Sequence, residues 1–233
     1  MRPHGWERVR RFWEADRGLT IVLVLLVVII FVLPVVLNPD PAGRLGVEFA
    51  FSMLLLAGAF TTAESRRLRL AAVALTAATL LVRWGAAGSP SNALAIGREA
   101  TTLVMLLLFA GVVAARAYRS GPVTHYRIQG AIAVLLLIGL VYADAYELVH
   151  LIHPDAFSGE IGDAPGALTW IYYSFVTLTT MGYGDITPVH PIARSLATSE
   201  ALAGQLYIAV MLSRLMALHV STDSKNSSFG DSI

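Results

Sequence analysis

Residues 19–37 carry no charged side chain, and the run ends in the turn cluster Asn38-Pro39-Asp40-Pro41. Crossing about 30 Å of hydrocarbon takes roughly 20 mostly apolar residues in a helix, so the run reads as a membrane span. A cleaved signal peptide is the competing reading, because arginines precede the run. The apolar stretch is much longer than a signal core of roughly 7–15 residues, and no small-x-small site follows closely. Comparable runs recur at 47–63, 68–84, 100–115, 128–151 and 192–220. Of the 233 residues 56% are hydrophobic and 14% charged, and the mean hydropathy is +0.65. A soluble domain is about 25% charged, so a water-exposed globule and a disordered chain are both excluded. The absence of cysteine removes disulfide scaffolds and thiol chemistry, and a net charge of +1 leaves no electrostatic footprint for nucleic acid.

These runs predict an all-α integral membrane fold of six transmembrane helices. With a cytoplasmic N-terminus, thirteen of the 17 basic residues fall inside, and four (Arg44, Arg83, Arg98 and Arg194) fall outside. The bias of basic residues toward the cytoplasm then places both termini inside, in a multi-pass protein of the cell membrane. Residues 1–18 interleave Trp6, Val9, Phe12 and Trp13 with arginines. That pattern suits a short helix in the headgroup region, with a frayed arginine-rich lead as the alternative. Residues 19–119 form a four-helix region, 128–220 a second unit, and 221–233 a polar tail whose composition predicts disorder. The tail is too short for a soluble regulatory domain, and no phosphate-binding loop occurs in the chain.

Between the fifth and sixth runs lies an apolar stretch, 167–178, too short to cross the bilayer. A re-entrant helix is the natural reading, because irregular backbone at membrane depth survives only inside protein or against water. Thr179-Thr180-Met181-Gly182-Tyr183-Gly184-Asp185 follows it. This heptad resembles the selectivity-filter signature of tetrameric potassium channels, T-x-G-Y-G-D, with Met181 where Val or Ile is usual. Chance agreement at the six fixed positions is on the order of 10⁻⁸ per start point if residues are equally frequent. Glycines at 182 and 184 supply the positive φ needed to aim successive carbonyls at one axis.

The resemblance implies a homotetramer in the lipid bilayer, with potassium as the permeant ion. It implies ion sites formed by the carbonyls of Thr180, Met181, Gly182 and Tyr183, closed by the Thr180 hydroxyl. Gly184 and Asp185 complete the filter, and Thr179, Trp170, Tyr172 and Tyr173 stand as its support. Tyr172 and Tyr173 replace the pair of tryptophans common in relatives, and filter backbone or Asp185 could satisfy their hydroxyls. Gly204, 19 residues after Asp185, falls at the family's inner-helix hinge, with close packing as the alternative. Glu200, one turn earlier, is an intramembrane carboxyl: it contacts the pore helix or a neighbouring subunit, or it is protonated.

From Arg127 to Arg194 there is no lysine or arginine, whereas Asp144, Glu147, Asp155, Glu160, Asp163 and Asp185 lie between. A one-signed vestibule concentrates cations, though Asp155, Glu160 and Asp163 read equally as solvated loop charges. The fourth run carries no charge inside it, and Arg98, Arg116 and Arg119 stand at its ends. Each gating charge supplies only about 2.3 kcal/mol per 100 mV, so this element predicts no strong voltage gating. The expected activity is passive potassium conduction, not catalysis. A transporter subunit, a weakly selective cation channel and a non-conducting membrane scaffold are the alternatives. Tension, pH through Glu200 or His150, a ligand and constitutive opening stay open as the stimulus.

Overall fold

The computed structural model describes residues 19–37, 41–62, 66–86, 92–118, 125–162 and 165–230. The N-terminal segment 1–18, Asp163 and residues 231–233 lie outside the described residues. The elements in chain order are α1 (Leu19–Val36), α2 (Pro41–Thr62), α3 (Arg66–Ala86), α4 (Asn92–Ala117) and α5 (His125–Ile152). A 3-10 turn (Pro154–Ala156), β1 (Phe157–Gly159), α6 (Ala167–Leu178), β2 (Ile186–Pro188) and α7 (Pro191–Gly230) complete them.

Among the described residues four helical stretches are long and apolar enough to cross a membrane: Leu19–Val36, Asn92–Ala115, Ile128–Ile152 and Pro191–Ser213. Two further apolar helical stretches, Leu45–Gly58 in α2 and the whole of α6, are shorter. Helix α3 occupies the run at 68–84, where Arg66, Arg67, Arg69 and Arg83 lower its apolar character. The chain is thus mostly helical and apolar, as an all-α membrane protein must be if its backbone polar groups are to be satisfied in lipid.

Helix α1 opens into a π turn at Val28–Val32, where the Leu33 amide bonds to the Val28 carbonyl. Pro34 explains the widening: it has no N–H, and its ring crowds the carbonyl of Ile30 four residues earlier. Helix α7 runs for 40 residues, about 60 Å at 1.5 Å per residue, without a break at Gly204. Its helix continues through 221–230, where composition predicts disorder; no proline follows Pro191 to stop it.

Helix α5 is the centre of the packing, with α4 along one side and α6 and α7 along another. Leu106, Phe109 and Val113 of α4 share a core with Ala133, Leu137 and Leu140 of α5. Gly139 lets α6 seat closely on α5, since a Cβ there would come within 2.6 Å of the Phe175 ring. Helix α1 reaches the same place, with Phe31 and Phe175 ring centroids 6.5 Å apart.

Two differences from the sequence expectation bear on function. Arg98 does not stand free at the end of a span. It lies inside α4 and reaches Glu99 at 2.5 Å, Glu48 of α2 at 3.6 Å and Glu147 of α5 at 3.8 Å. The second difference is a small antiparallel sheet in an otherwise helical chain. Phe157 pairs with Pro188, Ser158 with Thr187 and Gly159 with Ile186, so the loop before α6 is laced to the stretch after the filter motif. The Ser158 and Thr187 hydroxyls add a contact of 2.8 Å.

Candidate functional site

Helix α6 has 12 residues and spans roughly 18 Å, short of the roughly 30 Å hydrocarbon core. Its last carbonyls have no partner within the helix, and the residues that follow fill them. The Thr179 amide donates to the Phe175 carbonyl at 3.1 Å, Thr180 to Thr177 at 2.9 Å and Met181 to Val176 at 2.9 Å. The Thr179 hydroxyl donates to the Phe175 carbonyl at 2.6 Å. The inner end of the motif is thereby pinned to the negative end of the helix dipole, which favours a cation nearby.

From there the backbone alternates. Thr180, Gly182 and Gly184 have φ of 58°, 55° and 82°, while Met181 and Tyr183 between them stay at negative φ. In a strand, successive carbonyls point to opposite sides; alternating left- and right-handed residues turn them toward the same side. Nothing lies within 4 Å of a Cβ built on Gly182 or Gly184, so backbone conformation rather than space requires glycine at both positions.

Thr180 is the residue that sequence reasoning missed in this alternation. A β-branched side chain at positive φ is strained and persists only where its surroundings hold it. Here the amide bond to Thr177 holds the backbone, and the Gln205 side-chain amide of α7 donates to the Thr180 hydroxyl oxygen at 3.3 Å. Gln205 became reachable because Gly204 brings α7 close to α6. A Cβ on Gly204 would collide with the Leu178 carbonyl oxygen.

The outer end is fixed differently. The Tyr172 hydroxyl donates to Oδ2 of Asp185 at 2.6 Å. That bond, helped by the Ile186 amide, holds the Asp185 carboxyl below the ordinary carboxylate range. The Asp185 carbonyl accepts the Glu160 amide at 2.8 Å. Gly159 makes this possible: its φ is 112°, and a Cβ there would run into the Asp185 carbonyl. Gly159 carried no sequence signal beyond its place in a glycine-containing loop, because its partner lies 26 residues away.

The remaining residues named from sequence separate into distinct places. Tyr173 is buried, with its ring 4.8 Å from Tyr146 and 5.5 Å from Phe157. Trp170 is fully buried between Phe157 at 4.8 Å and His150 at 5.2 Å, so it packs the core behind the loop. Glu200 is fully buried at the junction of three helices. The Tyr146 hydroxyl of α5 donates to its Oε2 at 2.5 Å, and Ser174 Oγ of α6 lies 2.5 Å from its Oε1. Met181 and Tyr183 stay 60% and 64% exposed on the single chain, facing away from its own core.

A match to a known family falls on this part of the chain. The Ion_trans_2 family model, described as ion channel, matches residues 131–220, less than half of the chain. An inward rectifier potassium channel, Kirbac3.1, of Paramagnetospirillum magnetotacticum is 43% identical over 54 residues, which are 23% of this chain and 18% of that protein. The two pore potassium channel c of Oryza sativa subsp. japonica is 34% identical over 64 residues, 28% of this chain and 14% of that one. The aligned stretches thus cover less than a fifth of either relative. No solved structure matches the chain. The family-model match covers most of α5, all of α6 and most of α7.

Proposed function

We propose that this chain is one subunit of a homotetrameric, potassium-selective channel in the cell membrane. Residues 180–185 form its filter, and potassium is the transported ion. The observation that carries the reading is the backbone alternation at Thr180, Gly182 and Gly184, hung from the end of a helix too short to span. Carbonyls turned to one side are what a dehydrated potassium ion needs in place of its water shell. One chain supplies only one wall of such a ring, which is why four copies are required. The exposure of Met181 and Tyr183 on a single chain supports a site closed by neighbours.

In this reading the chain crosses the membrane six times, with α6 re-entrant between the fifth and sixth crossings and both termini cytoplasmic. The basic-residue bias supports the orientation. Conduction is passive and not steeply voltage-dependent, since the described charges of α4, Arg98 and Glu99, pair with each other and the interior of the helix beyond them is apolar. Both similar proteins are named as potassium channels, which favours potassium over other cations.

Purified protein in planar bilayers tests the proposal. Under a steep potassium gradient with sodium opposite, the reversal potential is expected near the potassium equilibrium value. A reversal near zero rejects selectivity, and no current from correctly assembled tetramers rejects the channel itself.

A further inference from the structure

We infer that Glu200 is held as a neutral carboxylic acid and that, in this form, it is the positioning residue that ties α7 to α5 and α6 behind the filter. The reason is a count of protons. Ser174 Oγ lies 2.7 Å from the Gly139 carbonyl oxygen of α5 and 2.5 Å from Oε1 of Glu200. A serine hydroxyl has one proton to give, and neither a carbonyl nor a carboxylate has any. With an ionised Glu200, one of these contacts brings two unprotonated oxygens together at hydrogen-bond distance.

A proton on Oε1 satisfies every atom. Glu200 then donates to Ser174, Ser174 donates to the Gly139 carbonyl, and Tyr146 donates to Oε2 at 2.5 Å. All three protons point the same way along one chain of bonds, an arrangement in which each bond polarises the next. The surroundings agree. Glu200 is fully buried, and among the described residues no ion pair involves it. Its polar neighbours are Tyr146 from α5 and Ser174 from α6, with the Tyr173 ring 4.8 Å behind Tyr146. On α7 the nearest cation toward the outside, Arg194, turns to the Pro188 carbonyl. Burying an unpaired charge here is costly, and a neutral acid avoids that cost.

The bond chain joins residues 35 and 26 positions apart at its Ser174 contacts. Ser174 belongs to the helix whose Val176 and Thr177 carbonyls hold the Met181 and Thr180 amides. Whatever fixes Ser174 therefore fixes the helix from which the filter motif hangs. The functional arm of this inference rests on the channel reading, but the protonation arm does not.

Infrared difference spectra of the full chain in lipid, parent against Glu200→Gln, provide the test at neutral pH. The expected change is loss of a protonated-carboxyl C=O band. Loss of carboxylate bands instead overturns the inference. Glutamine keeps one donor and one acceptor in the same shape, whereas alanine keeps neither. Potassium current is therefore expected within about twofold of the parent in Glu200→Gln and lowered about tenfold or more in Glu200→Ala. Equal currents in all three overturn the positioning role, as does a Glu200→Gln variant as impaired as Glu200→Ala. Thermal unfolding in lipid, expected to follow the same order, replaces the current if the parent does not conduct. Because the band needs no current, a parent that shows it and carries no potassium rejects the channel reading alone.

Discussion

The two halves of the chain hold charge and backbone polarity in opposite ways. In the half built from α5, α6 and α7, polar contacts converge on one loop: helix carbonyls take the Thr179, Thr180 and Met181 amides, and Tyr172 takes Asp185. In the half built from α1 to α4, the described ion pairs gather at Arg98, which bonds Glu99 and Glu48 within that half and reaches across to Glu147 of α5. The first half is organised around a backbone conformation, and the second around helix packing with, among the described residues, an ionic knot at Arg98. That contrast explains why similarity to known channels covers residues 131–220. A backbone that must alternate its φ accepts few residue types at fixed spacing, whereas a lipid-facing helix accepts almost any apolar residue.

The contrast can be broken most directly at Gly182. Left-handed backbone costs an L-residue about 1–2 kcal/mol in each chain, so on the proposed function Gly182→Ala is expected to abolish potassium current in bilayers while the assembly mass in detergent matches the parent's. Unchanged conduction would place the filter elsewhere.

A matched pair of glycines comes next. Gly204→Ala puts a methyl group into the Leu178 carbonyl, with an expected loss of about 1–3 kcal/mol in thermal unfolding. Gly111 of α4 faces open space, so Gly111→Ala should leave stability level or raise it by up to about 1 kcal/mol. Equal effects from the two would erase the difference between the halves.

Tyr172→Phe probes the outer end of the proposed filter. The hydroxyl lowers the Asp185 carboxyl, so the bond contributes above the unfolded pKa and is lost as pH falls through the lower folded value. Without it, the Asp185 titration seen by carboxyl-carbon NMR should move up, and acid-induced loss of current should begin at higher pH. A titration identical to the parent would mean that the bond does not form in the assembled protein.

The smallest effect is expected at Arg98. Arg98→Gln removes the cation from between three carboxylates and should lower unfolding temperature, yet leave the slope of conductance against voltage unchanged. A slope that flattens would make Arg98 a moving charge, worth about 2.3 kcal/mol per 100 mV if it crosses the whole field.

Much of the site was legible because its chemistry fixes residue type at short spacing. The glycines at 182 and 184, the short helix before them and Asp185 one residue beyond need no tertiary information. Two adjacent tyrosines on a helix sit about 100° apart, so Tyr172 and Tyr173 could not both face Asp185. Which one does depends on how α6 is rolled against α5, and the fit of Phe175 over Gly139 decides that. Gly159, Gln205 and the reach of Arg98 to Glu48 and Glu147 were illegible for a common reason: each acts on a partner 25 or more residues away. The break in α1 was local, following from Pro34, but the contact it sets between Phe31 and Phe175 was not.

With the end of α6, the short β1–β2 pairing gives the proposed filter two anchors of different kinds. Its inner end is bonded to α6, while its outer end is bonded to a few residues of loop through the Asp185 carbonyl beside Gly159. Gly182 and Tyr183 lie between them like the middle of a string held at both ends. If this segment is the filter proposed above, its midpoint is constrained from both sides, and a loop outside the ion path helps set the position of its carbonyls.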